Sequence, residues 1–313
     1  MKCPTYPLWE QVALPRVVSK IRPDLLHCTS NTAPIHCPVP LVLTLHDIIF
    51  LEPRQGGNRS WYQNMGWYYR RMVVPRILSQ CEKIITVSHF ECNRIREALQ
   101  LPKDKITAIY NGYSEHFRPL SETLSITRKY IDDDDYIFFL GNTDPKKNVA
   151  RTLKAYSLYL KQSDKKRPLL IADLSKDKLD AILREQQIEE IKPYLSYPGY
   201  IPNKDLAYLY NGAFVFLYTS LRESFGIPML EAMACGTPVI TGNTSAMPEI
   251  AGEGGILVNS LNAKEIAEKI LYLEQDQIFY QNQIKYGLNR VQKFSWAQTA
   301  ENLLSLYLSL IHI

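Results

Sequence analysis

The sequence predicts an α/β protein with two doubly wound parallel-sheet domains. Its 313 residues exceed the usual size of one domain, so two domains are expected. Short apolar runs rich in β-branched residues alternate with amphipathic helical patterns, which is typical of parallel sheets covered on both faces. The periodicity lapses in a polar run from Phe117 to Asp135. We therefore expect domains at residues 1–118 and 119–295, with a last helix at 296–313 that joins the first domain.

The elements follow from these patterns in chain order. The predicted buried strands are Leu25–Cys28, Leu41–Leu45, Lys83–Val87, Ile106–Ile109, Tyr136–Leu140, Leu169–Ala172, Phe214–Tyr218, Pro238–Thr241 and Gly255–Val258. The predicted helices are Gln63–Ser79, Glu91–Ala98, Ala150–Gln162, Lys176–Glu185, Met229–Cys235, Ala263–Glu274 and Trp296 to about Leu310. The first sheet opens without a clear strand, so we expect it to be incomplete at its N-terminal edge.

Composition excludes several classes of protein. A net charge of +4 is too small to indicate a nucleic-acid partner. No run approaches eighteen apolar residues and the N-terminus lacks an apolar signal region, so a cytoplasmic protein is expected. The six cysteines form no CxxC pair and have no histidine at zinc-ligand spacing. We expect them to be free thiols, and we expect no metal.

Polar residues and glycines follow several predicted strands. They are His46-Asp47, Ser88, Asn111-Gly112, Gly141-Asn142 and Arg222-Glu223. Ligands of open parallel sheets bind beyond the carboxyl ends of the strands. We therefore expect these residues to face a cleft between the two sheets.

The strongest motif is the stretch from Glu223 to Glu231. A strand, an acidic residue and a glycine loop lead into a helix with Pro228 near its first turn, where the fixed φ of proline is suited. The backbone N–H groups around Phe225–Ile227 then point at an anion or at sugar hydroxyls. Glu231 is either a carboxylate that receives ribose hydroxyls or a solvated acid near the start of a helix.

Two weaker motifs accompany it. The stretch Gly141–Asn148 runs from a strand through a glycine turn to a helix, and Lys147 at the helix mouth suits a diphosphate. A surface turn with two lysines is the alternative, and neither GxxxxGK[ST] nor GxGxxG is present. His46 follows a strand and is predicted to face the cleft, with a structural histidine as the alternative. Asp47 is predicted to cap the loop after it.

In their order these segments resemble the family 4 (group 1) retaining glycosyltransferases of GT-B fold. The resemblance runs from about Arg22 to Phe294. Its motifs are Pro23–His27, Thr44–Asp47, Ile84–Ser88, Ile109–Gly112, Gly141–Asn148, Tyr197–Ile201, Glu223–Glu231 and Gly236–Ile240.

The resemblance implies transfer of a mannose- or glucose-type hexose from a GDP- or UDP-linked sugar to a glycan or lipid-linked acceptor. Surface polysaccharide synthesis is the implied role, with no metal and no cofactor. The implied catalytic residues are His46, Lys147 and Glu223. The implied donor-binding residues are Gly141, Asn142, Tyr200, Ile201, Phe225, Gly226, Ile227 and Glu231. The family usually has an arginine or another polar residue where Asn142 stands, and Asn142 supplies no charge.

The resemblance also implies a division of roles. Lys147 holds the diphosphate, Glu223 the sugar hydroxyls and Glu231 the ribose. Tyr200 and Ile201 flank the base, and His46 reaches the sugar from the opposite domain. The departing phosphate accepts the proton of the acceptor, so no general base is assigned.

Several alternatives remain at this stage. Asp132–Asp135 invites a metal-dependent transferase, although the acids precede a strand rather than follow it, which favours a solvated loop. The same fold suits a sugar-nucleotide 2-epimerase, or a truncated, catalytically weak nucleotide-binding protein. The stretch Arg54–Arg76 mixes arginines with aromatic residues and has no acid. It suits peripheral contact with the inner face of a membrane, or a core-packing helix with a charged outer face.

Overall fold

The computed structural model describes residues 5–52, 61–142 and 144–311, without the side chains of 61–63. Within these residues the chain forms two compact units. The first unit contains the described residues up to Tyr110 and those from Ala297 onward. The second unit is the continuous stretch from Asn111 to Trp296.

Each unit contains one parallel sheet. The strands of the first unit are β1 (Leu26–Cys28), β2 (Leu41–Thr44), β3 (Cys81–Thr86) and β4 (Ile106–Ala108), in that spatial order. The strands of the second are β5 (Tyr136–Leu140), β6 (Leu169–Ala172), β7 (Leu195–Gly199), β8 (Ala213–Tyr218), β9 (Val239–Gly242) and β10 (Gly255–Val258). Their spatial order is β10-β9-β8-β5-β6-β7. The predicted α/β class with two parallel doubly wound sheets is confirmed.

Helices fill the connections between the strands. The α-helices are α1 (Tyr6–Leu8), α2 (Leu14–Ile21), α3 (Trp61–Ile77), α4 (His89–Leu99), α5 (Leu124–Thr127), α6 (Val149–Leu160), α7 (Lys176–Gln186), α8 (Asn203–Gly212), α9 (Ile227–Ala234), α10 (Met247–Ala251), α11 (Ala263–Gln275), α12 (Gln277–Val291) and α13 (Trp296–Leu310). Trp9–Ala13 is a π-helix between α1 and α2. Short 3₁₀ helices lie at Ile49–Leu51, Lys103–Lys105, Pro145–Lys147, Glu189–Tyr194 and Gly252–Gly254.

The sheet of the first unit is covered by helices on both faces. Side chains alternate between the two faces of a strand, so Leu41 and Leu43 belong to one core cluster and Val42 to another. On the second face, Leu303 and Leu306 of α13 pack against the cluster that contains Val42. Helix α13 therefore packs on the first sheet, although its last strand, β4, ends almost two hundred residues before this helix begins.

The sheet of the second unit changes direction once. The chain builds outward from β5 through β6 to β7, then returns to the other side of β5 with β8 and continues to β10. Adjacent strands β5 and β8 pair in parallel, with Phe139 opposite Leu217. Loops at the carboxyl ends of two such strands diverge and leave a crevice, which is the usual ligand site of a doubly wound sheet.

Some elements were missing from the sequence prediction. Strand β7 is an edge strand of intermediate exposure that contains Pro198 and Gly199, both of which weaken the pattern of a strand. Helix α12 buries only Gln283, Gly287 and Val291, so its apolar signal is small. Helices α1, α2, α5, α8 and α10 were also not predicted. Among the described residues, no helix has both the length and the apolar character required to cross a membrane.

Candidate active site

The two strongest sequence motifs lie at the point where the second sheet changes direction. The stretch Gly141–Lys147 leaves the carboxyl end of β5, and Thr219–Glu223 leaves the carboxyl end of β8. These strands are neighbours and run in the same direction. The topology therefore brings together Lys147 and Glu223, which are 76 residues apart in sequence.

The loop after β5 is held by its own side chains. The Asn142 Oδ1 accepts a hydrogen bond from the Asp144 N–H at 2.8 Å. The Asp144 Oδ1 in turn accepts from the Lys146 N–H at 3.0 Å, at the start of the 3₁₀ turn Pro145–Lys147. Asparagine and aspartate commonly stabilise turns in this way. Asn142 is thus engaged through its carbonyl oxygen in shaping the loop that carries the lysines.

Asn148 fixes this loop to two other strand ends. It adopts the left-handed conformation, with φ of 60°, between the 3₁₀ turn and α6. Its buried Nδ2 donates to the Thr219 carbonyl at 3.0 Å and to the Ser260 carbonyl at 2.7 Å. In addition, the Leu221 N–H donates to the Lys146 carbonyl at 2.7 Å. The loops after β5, β8 and β10 are therefore joined by side-chain and backbone hydrogen bonds.

Lys147 and Glu223 form an ion pair at the centre of this arrangement. The Lys147 Nζ lies 2.7 Å from the Glu223 Oε1, and the side chains are 16% and 11% exposed. Lys146 approaches the other carboxylate oxygen at 4.0 Å. The Lys147 Nζ also lies 5.0 Å from the centre of the Tyr218 ring. Two lysines around one carboxylate leave a net positive charge, which suits an anionic ligand.

Glu223 is positioned by the loop after β9. Its N–H donates to the Ser245 Oγ at 3.0 Å, and its carbonyl accepts from the Ala246 N–H at 3.3 Å. Thr244 adds a hydrogen bond from its hydroxyl to the Leu221 carbonyl at 3.0 Å. Sequence reasoning missed this support. The available signal was a run of small polar residues directly after a predicted strand.

The glycine loop and helix α9 follow Glu223. Gly226 has φ of +106°, and a Cβ at this position would lie 2.5 Å from the Met229 Cε. The loop therefore depends on glycine. Helix α9 begins at Ile227, with Pro228 in its first turn as predicted. Phe225 is buried, so its contact with a ligand is limited to its backbone, which is the kind of contact predicted for Phe225, Gly226 and Ile227.

Glu231 lies on α9 in a largely enclosed position. Burial raises the pKa of Glu231 from 4.5 to about 7, and the hydrogen bond from Tyr210 acts in the opposite direction. The Tyr210 hydroxyl donates to the Glu231 Oε2 at 3.4 Å. Glu231 is of intermediate exposure, so it is not a fully solvated acid near the start of the helix.

Tyr200 and Ile201 follow the edge strand β7. Gly199, with φ of +82°, turns the chain at the end of the strand. The Tyr200 ring is 77% exposed, whereas Ile201 is buried. An exposed ring is available for stacking on a planar group, and contact of Ile201 with a ligand is limited to its backbone.

His46 lies in the first unit, just beyond the carboxyl end of β2. Its N–H donates to the Asn31 Oδ1 at 2.6 Å. Its Nε2 is 2.9 Å from the Thr29 carbonyl, which can only accept, so this nitrogen carries hydrogen. In the neutral ring the Nδ1 is then the acceptor. Asp47 caps the following turn through the Ile49 N–H at 3.0 Å, as predicted.

The basic segment is only partly described. Arg54 and Arg59 lie outside the described residues. Helix α3 buries Val73, Val74 and Ile77 in the first unit and exposes Arg70, Arg71 and Arg76. The Arg71 guanidinium lies 4.3 Å from the centre of the Trp67 ring. The helix therefore packs on the core and also presents a basic outer face.

Two acids of the run before β5 form ion pairs with arginines. Asp134 pairs with Arg128 at 3.0 Å, and Asp135 pairs with Arg167 at 2.6 Å. Both acids precede the amino end of β5, far along the strand from the loop that carries Lys147. In the part of the chain that the structure describes, no group of three potential metal-ligating acids, histidines or cysteines is found.

Comparison with family models places this site in a known context. A model described as "Glycosyl transferases group 1" matches residues 124–290, and one described as "Glycosyltransferase Family 4" matches residues 2–116. The first model alone covers more than half of the chain. The chain belongs to the group 1 glycosyltransferases. The matched range of the first model contains the Lys147–Glu223 pair and Glu231.

Relatives of this group 1 glycosyltransferase include proteins named as mannosyltransferases. It is 29% identical over 270 residues to the O-antigen chain mannosyltransferase B of Escherichia coli, covering 85% of this chain and 69% of that protein. It is 27% identical over 312 residues to the serotype-specific mannosyltransferase WbdA of Escherichia coli. That match covers 93% of this chain but 37% of WbdA. The chain thus spans little more than a third of the WbdA length.

Solved structures agree with the fold. Sucrose-phosphate synthase from Thermosynechococcus elongatus superposes with a TM-score of 0.75 at 21% identity, over 96% of this chain and 77% of that one. Anabaena HepE, solved in complex with UDP, gives a TM-score of 0.75 at 18% identity, over 94% and 81%. The group 1 glycosyltransferase described here has the GT-B fold.

Proposed function

We propose that this protein is a retaining mannosyltransferase that uses a nucleotide diphosphate sugar and a glycan or lipid-linked acceptor. The observation that carries the proposal is the Lys147–Glu223 pair at the direction change of the second sheet. Membership in the group 1 family supports transfer of a sugar. The O-antigen mannosyltransferases among its relatives support mannose as that sugar and a surface polysaccharide as the product.

The proposed donor site follows the charges of the second unit. The diphosphate contacts Lys147, with Lys146 nearby, and displaces the carboxylate of Glu223 from the ammonium group. Glu223 is then free to accept hydrogen bonds from hydroxyls of the transferred sugar. Glu231 accepts from the ribose hydroxyls, and the exposed ring of Tyr200 stacks on the base. The backbone of Gly141 and of the glycine loop after Glu223 completes the proposed contacts.

The proposed reaction is one substitution at the anomeric carbon. The bond from this carbon to the diphosphate oxygen breaks, and a bond to the acceptor hydroxyl oxygen forms on the same face. The hydroxyl proton passes to the departing phosphate, so the products are the glycoside and a protonated nucleoside diphosphate. Negative charge grows on the leaving oxygen, and Lys147 stabilises it in a partly enclosed site. His46 is proposed to contact the transferred sugar.

The mechanism requires no metal or cofactor from this chain, because two lysines supply the charge that a metal ion would otherwise give to the diphosphate. The nucleotide is GDP or UDP. Mannosyl relatives suit GDP-mannose, and HepE was solved with UDP. Equal turnover with and without EDTA is the expected result for either nucleotide.

We further propose peripheral membrane contact through α3. Arg70, Arg71 and Arg76 are exposed on this helix beside the exposed side chains of Tyr68 and Met72, and the helix contains no acid. Basic residues with aromatic neighbours favour anionic lipid surfaces. Replacing Arg70 and Arg71 by glutamine is expected to abolish sedimentation with vesicles that contain phosphatidylglycerol. Unchanged sedimentation of this variant would exclude α3 as the contact.

The decisive experiment is Lys147→Ala, assayed with GDP-mannose and UDP-hexoses and a glycan acceptor. Loss of one stabilising cation is expected to lower kcat by about 100-fold or more with any accepted donor. Lys154→Ala, on the exposed side of α6, is the matched control and should retain full activity. Near wild-type turnover of Lys147→Ala would refute the proposed role.

The same assays separate the other hypotheses for this fold. Interconversion of free UDP-sugars without transfer would identify a 2-epimerase. Nucleotide binding without transfer or donor hydrolysis would identify a catalytically weak nucleotide-binding protein. A thermal-shift screen with UDP, GDP and ADP identifies the preferred base, because a bound nucleotide raises the midpoint of unfolding.

A further inference from the structure

A buried carboxylate lies in the π-helix of the first unit, outside the proposed donor site. Glu10 is 1% exposed. Its Oε1 accepts hydrogen bonds from the Tyr6 hydroxyl and the Thr32 hydroxyl, both at 2.7 Å. Its Oε2 accepts from the Tyr69 hydroxyl at 2.5 Å and from the Gln11 Nε2 at 3.0 Å. These four donors are neutral groups.

A buried carboxylate that contacts only neutral donors does not favour stability. Removing its charge from water costs several kcal/mol, and pairing it with a cation or replacing it by an uncharged side chain of the same shape reduces this cost. An ionised carboxylate is, however, a pure acceptor with about four lone-pair positions. Glu10 therefore fixes the orientation of four hydroxyl and amide groups at once. Such a group orders its surroundings more strongly than a neutral amide does.

One of the four groups held by Glu10 belongs to the loop after β1. Thr32 is part of this loop. The neighbouring Gln11 holds two further points, since its Nε2 lies 3.1 Å from the Ala33 carbonyl and its Oε1 accepts from the Ile35 N–H at 2.9 Å. The π-helix is thus hydrogen-bonded to three residues of this loop, namely Thr32, Ala33 and Ile35.

The other end of the same loop holds His46. The Thr29 carbonyl accepts from the His46 Nε2 at 2.9 Å, and the Asn31 Oδ1 accepts from the His46 N–H at 2.6 Å. Asn31 has φ of +63°, and its own N–H donates to the Thr44 carbonyl at 3.1 Å. The path from the carboxylate to the imidazole is continuous within the first unit: Glu10, Thr32, the loop backbone, Thr29 and His46.

We infer that Glu10 is a positioning residue for His46. By holding Thr32, Glu10 fixes the loop so that the Thr29 carbonyl accepts a hydrogen bond from the His46 Nε2–H. The lone pair on the His46 Nδ1 is then available to accept a hydrogen bond from the sugar. The inference rests on the proposed function through the role of His46. The tautomer itself is a property of the protein alone, and it is measurable without substrate.

The first test is nitrogen NMR of the full chain labelled at histidine. His46→Gln assigns the His46 signals. Wild type is expected to show His46 as the Nε2–H tautomer, with a protonated-type Nε2 and an acceptor-type Nδ1. Thr32→Val removes one hydroxyl and keeps the volume of the side chain, and Glu10→Gln keeps the shape of the carboxylate. Both are expected to mix the two tautomers.

Glu91→Gln is the matched control, because Glu91 is a fully buried carboxylate of the same unit that pairs with Arg94. It is expected to lower stability and to leave the His46 signals unchanged. Wild-type His46 signals in both Glu10→Gln and Thr32→Val would overturn the inference and leave Glu10 as a folding element only.

The second test is a double-mutant cycle on turnover. Misplacement of a catalytic group by a fraction of an ångström costs about 10- to 100-fold in rate, and Glu10→Gln should lower kcat by that amount with little change in the donor KM. In a His46→Ala background the same substitution should have no further effect. An equal loss in both backgrounds contradicts action through His46. If wild type transfers no sugar, the proposed function fails, and the NMR result still decides the inference.

Discussion

Nucleotide-sugar binding should strengthen with pH through the titration of Glu231. Burial raises the pKa of this carboxyl group to about 7 in the free protein. Ribose hydroxyls donate to the ionised form, so binding favours ionisation and lowers the pKa in the complex. If the complex returns the pKa to the ordinary value of 4.5, affinity rises about 25-fold between pH 5.5 and pH 8.

Calorimetric titration at pH 5.5, 6.5, 7.5 and 8, in two buffers of different ionisation enthalpy, measures both affinity and proton release. Intact nucleotide sugars suit this assay because their diphosphate does not titrate in this range. Glu231→Gln is expected to bind more weakly than wild type at every pH tested and to show no rise in affinity between pH 5.5 and pH 8. An equal rise in Glu231→Gln, or a flat profile in wild type, would refute the assignment of Glu231 to the ribose.

The same group predicts the pH dependence of stability. The folded protein holds the Glu231 proton up to about pH 7, whereas the unfolded chain releases it near 4.5. The stabilising contribution is therefore complete below pH 4.5 and is lost as pH rises to 7 and above. The loss approaches about 3 kcal/mol. Urea unfolding at pH 5 and pH 8 should show this decline in wild type and a smaller one in Glu231→Gln.

Three further substitutions test the framework of the second unit. Arg167→Met removes the cation that pairs with the buried Glu274 and should lower the free energy of unfolding by about 3–5 kcal/mol. In urea titrations, adding Glu274→Gln to this variant should restore part of the loss. Asn148→Ala should be less stable than Asn148→Gly by about 1 kcal/mol, because alanine is strained at φ of +60°; equal stabilities would contradict that cause. Gly226→Ala should cost about 1–3 kcal/mol in the same assay and weaken nucleotide binding, and wild-type values for both would show that the loop does not need glycine.

Much of the fold follows from the sequence because its strands are buried on both faces. The strands β5, β6 and β10 have the predicted bounds, and the other predicted strands differ by one or two residues. Edge strand β7 was not predicted because its side chains are half-exposed and Pro198 interrupts the apolar run. Helix α12 was not predicted because its buried positions include Gln283 and Gly287 rather than large apolar residues.

The sequence predicted residues for the candidate site but not their contacts with one another. Lys147 was assigned to the diphosphate from its position at a helix mouth, and Glu223 to the sugar from the family resemblance. Their ion pair depends on the spatial order of β5 and β8, which no local pattern reveals. The same holds for Asn148, whose amide joins two loops that are distant in sequence. The burial of Glu10 could not be predicted, because a single acidic residue in a short segment is normally exposed at the surface.

The chain enters the first unit twice, and this has a consequence for biosynthesis. The second unit is continuous from Asn111 to Trp296 and can fold as soon as it leaves the ribosome. The first unit is completed later, because the face of its sheet that contains Val42 packs against α13 and the Tyr307 hydroxyl lies 2.5 Å from the His27 Nδ1. Nascent chains should therefore hold an uncovered apolar surface throughout translation of the second unit. Removal of α13 should therefore expose the apolar face that contains Val42 and lower the stability of the first unit.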